Sequence, residues 1–221
     1  MTRVFDSELA ELKELLLYMG GLVESMIHLS IKSLVEREES VGKEVYGKEN
    51  EVNKLQIEID DRCLKLIALN QPAGTDLRFI TSAMKINSEL ERMGDQAINI
   101  ADASKELLKF SQLKRLIDIP LMADISKTMV KDCLDAFVRA DAELARSVLV
   151  RDNKVDGLKD QIFRELLTYM LSETKHIPVA LELILISRHL ERIGDHATNI
   201  AEDVIFMVEG QDVRHYQKDV R

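Results

Sequence analysis

Leu90-Glu91-Arg92-Met93-Gly94-Asp95-Gln96-Ala97-Ile98-Asn99-Ile100-Ala101 returns 100 residues later as Leu190-Glu191-Arg192-Ile193-Gly194-Asp195-His196-Ala197-Thr198-Asn199-Ile200-Ala201, with nine of the twelve positions identical. A repeat of that length and quality marks an internally duplicated chain, in which each copy is one supersecondary unit. Upstream, Glu49-Asn50-Glu51-Val52-Asn53-Lys54-Leu55 is answered at an offset of 103 by Asp152-Asn153-Lys154-Val155-Asp156-Gly157-Leu158. The change of offset places a turn three residues shorter in the second copy.

The apolar positions recur at helical spacing. Ile86, Leu90, Met93, Ala97, Ile100 and Leu107 form one stripe, and Leu185, Leu190, Ile193, Ala197, Ile200, Val204 and Val208 form its counterpart. With 3 Pro and 9 Gly in 221 residues, helix breakers are sparse enough to place six helices. These run from about Asp6 to Glu39, Val41 to Leu69, Thr75 to Phe110, Pro120 to Ala140, Asp141 to Leu171 and Pro178 to Val208. Short turns make neighbours antiparallel. The expected fold is all-α, two tandem pseudo-symmetric three-helix bundles, divided as residues 1–110 and 111–221.

A net charge of -9 and a pI near 5.2 disfavour nucleic acid or an anionic membrane as a general partner and favour cations. Acids run through the first twenty residues (Asp6, Glu8, Glu11, Glu14), unlike a signal peptide. No spanning helix is expected, and the protein is expected in the cytoplasm. Cys63 and Cys133 lack CxxC spacing and read as buried, reduced thiols. There is no P-loop, GxSxG or Rossmann glycine pattern, so the reading is not enzymatic.

Away from the apolar stripes, Glu91, Asp95, Asn99 and Asp102 share a second helix face, as do Glu191, Asp195, Asn199 and Glu202. Like charges one turn apart destabilise a helix, which a cation would relieve. Arg92 and Arg192 lie about 100° around the helix and cannot neutralise the row; Arg188, three residues before Glu191, is the nearest candidate to help. Counting back from the turns sets Glu49 level with Asp95 and Asn53 level with Glu91. In the second copy Asp152 meets Asp195 and Asp156 meets Glu191. Each helix thus offers two oxygen ligands about 6 Å apart, facing a neighbour about 8–10 Å away. Hard divalent or ferric ions suit such oxygen sets, so a multinuclear metal site is expected in each bundle. Asn53 replaces a carboxylate with a neutral oxygen and lowers the charge available in the first. Gly94 and Gly194 sit mid-helix at a cost of about 1 kcal/mol relative to Ala, for close packing or an open floor beneath the ions. His189 and His196 point off the acidic face, toward the surface or the other bundle.

The paired Glu-Arg-hydrophobic-Gly-Asp segments, the turn Gln71-Pro72-Ala73-Gly74-Thr75-Asp76-Leu77-Arg78 and the six-helix duplication resemble the PhoU family, regulators of the bacterial phosphate-specific transport system. The resemblance implies negative control of phosphate uptake and of the phosphate-starvation response. It implies contacts with the transporter ATPase and a sensor histidine kinase, and a homodimer is expected. It also implies metal clusters, iron first, with zinc, manganese or magnesium as alternatives. Their ligands map onto Glu49, Asn53, Glu91 and Asp95, and onto Asp152, Asp156, Glu191 and Asp195. Glu49 stands where the family usually has Asp. Two other readings are a ferritin-like metal store or oxidase, and a metal-free helical scaffold. The former needs Glu-x-x-His pairs on two helices, and only Glu173-Thr174-Lys175-His176 has that spacing.

Overall fold

A computed structural model describes residues 4–213, so the outermost ends of the two predicted halves lie outside the described residues. The described residues form α1 (Val4–Glu36), α2 (Glu39–Asn70), α3 (Thr75–Leu107), α4 (Asp118–Arg139), α5 (Ala142–Ser172) and α6 (Ile177–Glu209), with a 3-10 turn (Thr174–His176) before α6. Among the described residues there is no strand. α1, α2 and α3 pack together, as do α4, α5 and α6. The two bundles join through α3 against α6 and α1 against α4.

Local chemistry sets the ends. The Asp141 carboxylate accepts the Leu144 N–H at 3.0 Å, supplying an N-cap to α5. Gly210 turns left-handed at φ 72° and its N–H closes α6 on the Phe206 carbonyl at 2.8 Å. The first break falls earlier than the periodicity suggests: Arg37, at φ 57°, ends α1 and α2 begins at Glu39. The Arg37 guanidinium donates to the carbonyls of Leu107 (3.2 Å) and Phe110 (2.5 Å), satisfying acceptors at the end of α3. That tertiary reward outweighs the cost of a non-glycine residue at positive φ.

The predicted stripes are buried, with two corrections. Leu185 and Val208 are exposed. On the first half of α6 the buried face runs through Val179, Ala180, Leu183, Ile186 and Leu190, leaving Leu185 at the rim of a groove beside Ala103 and His189. Near the helix end Val204, Ile205 and Met207 take the buried side, so Val208 turns out. α1 also departs from expectation, being long and apolar enough by length and hydropathy to cross a membrane. Half of its most apolar window is buried, with Leu12, Leu16, Met19, Val23 and Met26 in the core. Cys63 and Cys133 are free and buried, and burial pushes both thiols up, Cys63 to about 12.

Across the bundle junction, Phe79 stacks on Phe137 with ring centroids 4.9 Å apart. At the α1 and α4 contact, a Cβ built on Gly20 would lie 2.1 Å from the Leu134 Cδ1, itself buried. Replacing Gly20 with Val is therefore expected to destabilise the protein by about 1–3 kcal/mol through overpacking. Chemical denaturation reads this directly; an unchanged midpoint would show the α1 and α4 contact to be loose.

Candidate metal centre

The burial pattern of residues 90–101 is repeated residue for residue in 190–201, so the duplicated segments occupy equivalent environments. Beneath each central glycine lies a matching floor. A Cβ on Gly94 would meet Met26 Cε at 3.5 Å and Val52 Cγ1 at 3.7 Å; one on Gly194 would meet Val155 Cγ1 at 3.5 Å and Met129 Cε at 3.8 Å. The second floor carries one addition, Asp152 Oδ1, at 3.1 Å from that position. Gly194 thus gives space to a carboxylate, whereas Gly94 only approaches apolar groups. Gly94→Ala should stabilise α3 by about 0.5–1 kcal/mol. Gly194→Ala should gain less and displace Asp152, lowering the cation affinity of that bundle. Melting curves with and without Mn²⁺ separate the two effects, and equal behaviour of both variants would refute the distinction.

In the second bundle α5 presents Asp152 and Asp156, and α6 presents Glu191 and Asp195. All four are close enough to act on one another. Burial, then the charges of Asp156, Asp195 and Glu191, push the Asp152 carboxyl up to about 6. Burial, then Glu191 and Asp156, also raise Asp195. Asp152 Oδ1 is buried with no hydrogen-bond partner, an orphaned acceptor that calls for a proton or a cation. Lys159 answers part of the charge, donating to Glu191 Oε1 at 2.8 Å and lying 3.4 Å from Asp156 Oδ1. Sequence reasoning named Arg188 for this role and missed Lys159, although it follows Asp152 by seven residues and Asp156 by three, on one face of α5.

The first bundle is built from the same positions. Burial, then Asp95, raise Glu91; Arg92 opposes this and Glu49 adds to it, which puts three of its four predicted ligands within electrostatic reach. Asn53 is half-buried on α2 and adds no charge. Gln56 stands where Lys159 stands in the second copy. Asp102 is engaged by Tyr46, whose hydroxyl donates to its Oδ1 at 2.5 Å; this bond, burial and the charge of Asp102 push the phenol up to about 12. Asn199 leaves the acidic row altogether, donating to Glu89 Oε2 at 3.0 Å.

The oxygen donors in the second bundle fit hard cations: a surplus of carboxylate, one acceptor unpaired, and ammonium in place of a second counter-charge. Among the described residues, no three Asp, Glu, His or Cys side chains are already gathered to hold an ion.

Between the bundles, α3 and α6 run antiparallel. Arg78 bonds the Met207 carbonyl, Ser82 that of Asp203, His196 the carboxylate of Glu89 (2.7 Å) and His189 the amide oxygen of Gln96 (2.8 Å). Glu89 with His196 and Gln96 with His189 are the same pair of positions exchanged by a pseudo-twofold axis. Burial pushes Glu89 up, but hydrogen bonds from His196 and Asn199 more than offset it and hold the carboxyl below its usual range. Both histidines serve the bundle junction, not the carboxylate rows.

The PhoU domain matches this chain twice, at residues 16–104 and 119–204. The phosphate-specific transport system accessory protein PhoU homolog of Pseudomonas putida is 39% identical over 97% of this chain and 84% of its own length. The accessory protein PhoU of Escherichia coli (strain K12) is 35% identical over 97% of this chain and 89% of its own length. In structure, PhoU from Pseudomonas aeruginosa superposes with a TM-score of 0.90 at 37% identity, covering 94% of this chain and 100% of that one. The phosphate transport system regulatory protein PhoU from Streptococcus pneumoniae gives 0.87 at 30% identity, over 95% and 99%. Duplicated sequence, duplicated bundles and close relatives along nearly the whole length agree: this chain belongs to the PhoU family.

Proposed function

We propose that this protein is a cytoplasmic negative regulator of phosphate uptake and of phosphate-starvation signalling. It acts by docking on the ATPase of the phosphate transporter and on a sensor histidine kinase rather than by catalysis. Family membership across both repeats is the observation that carries this reading. A homodimer is part of it.

A contact function also suits the surface. Phe163, Leu167 and Leu171 on α5 stand level with Leu185, Leu181 and Ile177 on α6, and all six are exposed. Exposed apolar side chains gathered at one end of the α5 and α6 pair suit a protein interaction surface.

The second bundle holds divalent or ferric cations on Asp152, Asp156, Glu191 and Asp195, with iron, manganese, zinc or magnesium as candidates. The first holds them on Glu49, Asn53, Glu91 and Asp95 with less charge. A cation held there would supply charge neutralisation to the carboxylates. The chain's own groups set the terms: Lys159 must leave Glu191, and below about pH 6 the ion must also displace the Asp152 proton.

Deleting the gene is expected to leave phosphate uptake and a starvation-response reporter active in high phosphate, with full-length protein restoring repression. Normal repression in the deletion strain, with no paralogue compensating, would overturn the reading.

A further inference from the structure

The pseudo-twofold axis passes between residues 92 and 93 of α3 and residues 192 and 193 of α6, as the exchanged pairs at 89 with 196 and 96 with 189 require. Around it lies an open cleft of about 450 Å³ into which both repeats deliver the same residue, Arg92 and Arg192. We propose that this cleft is an anion site in which the two guanidiniums hold a tetrahedral oxyanion of the size of inorganic phosphate.

The arginines are poorly matched by the protein itself. Arg192 makes no hydrogen bond or ion pair among the described residues. Arg92 lies 3.4 Å from Glu89 Oε1, and the other oxygen of that carboxylate is already held by His196 and Asn199. Asp95 and Asp195 line the same cleft, yet neither forms an ion pair with either arginine. Two like charges are thus brought to one open cleft by symmetry, both exposed, the Arg192 fork uncommitted and the Arg92 fork held by one long bond to Glu89. Guanidinium forks match the oxygens of a phosphate by paired, charge-assisted hydrogen bonds. Gln96 supplies a further donor: its carbonyl oxygen is fixed by His189, so the amide nitrogen remains for a ligand. The cleft volume falls in the range of small-ligand sites.

Asp95 and Asp195 belong both to this cleft and to the acidic rows. On the cation reading above, ions on the rows cancel those two charges and leave the arginine pair as the net charge of the cleft. Anion and cation then bind with positive coupling, each raising the affinity for the other by the same factor. The anion site stands on the arginines; the coupling rests on the cation reading.

The test is equilibrium dialysis of radiolabelled inorganic phosphate against full-length protein, metal-stripped and Mn²⁺-loaded. The variants are R92Q, R192Q and the double substitution, with Mn²⁺ binding and melting temperature measured on each. Saturable binding of one phosphate per chain is expected, weakened about tenfold by each single change. It should be lost in the double variant, with Mn²⁺ binding and fold retained. No phosphate binding in either metal state, or binding indifferent to the double substitution, overturns the proposal. A phosphoserine peptide is the second arm, and tighter binding of the peptide than of free phosphate would overturn it in favour of a phosphorylated partner. If Mn²⁺ fails to bind while arginine-dependent phosphate binding persists, the cation reading falls and the anion site stands.

Discussion

Asp195→Ala is expected to lower the cation affinity of the second bundle by at least about 100-fold, since removal of a ligand should exceed the loss seen when only an outer partner is removed. The fold should survive. Asp195 is exposed on the side of α6 away from the buried Ile193, Ala197 and Ile200, and no apolar contact is removed. Although the residue as a whole is exposed, partial desolvation of its carboxyl and then its acidic neighbours raise it, so the metal-free variant should be as stable as the parent or slightly more so at neutral pH. Elemental analysis after loading, beside melting curves in chelator, measures both parts. A variant that keeps its full metal content would remove Asp195 from the ligand set.

Lys159→Gln should act in the opposite direction on both quantities. The hydrogen bond to Glu191 lifts the Lys159 ammonium, which occupies the ground a cation would need, and both partners are largely shielded. Without it, metal-free protein should lose about 1–2 kcal/mol, because a charge-assisted bond goes and four carboxylates face one another with less compensation. Affinity for Mn²⁺ should rise about tenfold, as one repelling charge within about 10 Å disappears. Denaturation in chelator and Mn²⁺ titration give the two numbers. If stability and affinity fell together, Lys159 would be supporting the ligands instead of competing with the ion.

The sequence made the fold legible because duplication supplies a control that a single helix lacks. An apolar stripe at 86–107 could be chance; the same stripe at 185–208 beside the same Glu-Arg-x-Gly-Asp signature could not. The levels of the acids followed from turn position alone, and the mutual charge effects among Asp152, Asp156, Glu191 and Asp195 agree with that count. What escaped the reading depends on the second helix of each contact. Leu185 fits the α6 period, but its environment is set by α3, where Ala103 leaves it at a groove. The matching crossing brings Lys85 to Asp203 at 2.6 Å instead. Asn199 sits on the acidic row by spacing and is drawn off it by Glu89 of the other bundle. The α1 break hangs on Arg37 finding the carbonyls at the end of α3, some 70 residues away in sequence. Lys159, by contrast, falls on the acidic face of α5 by spacing alone, three residues after Asp156.

The pH dependence of the second bundle follows with its sign. In metal-free protein, Asp152 is raised from 3.8 to about 6, so the folded state binds the extra proton between those values. Stability from this group is full below 3.8 and is lost as pH rises through about 6. Discounted for partial solvent screening, the loss is roughly 1 kcal/mol. A cation competes with that same proton and gains as pH rises.

Titration of metal-stripped protein with Mn²⁺ at pH 8 and at pH 5, followed by the loss of the free-ion electron paramagnetic resonance signal, tests the cation centre most directly. Saturable binding at pH 8 that weakens at least about tenfold at pH 5 is predicted. Absence of binding at pH 8, or an isotherm indifferent to pH, would contradict the assignment of Asp152, Asp156, Glu191 and Asp195 as its ligands.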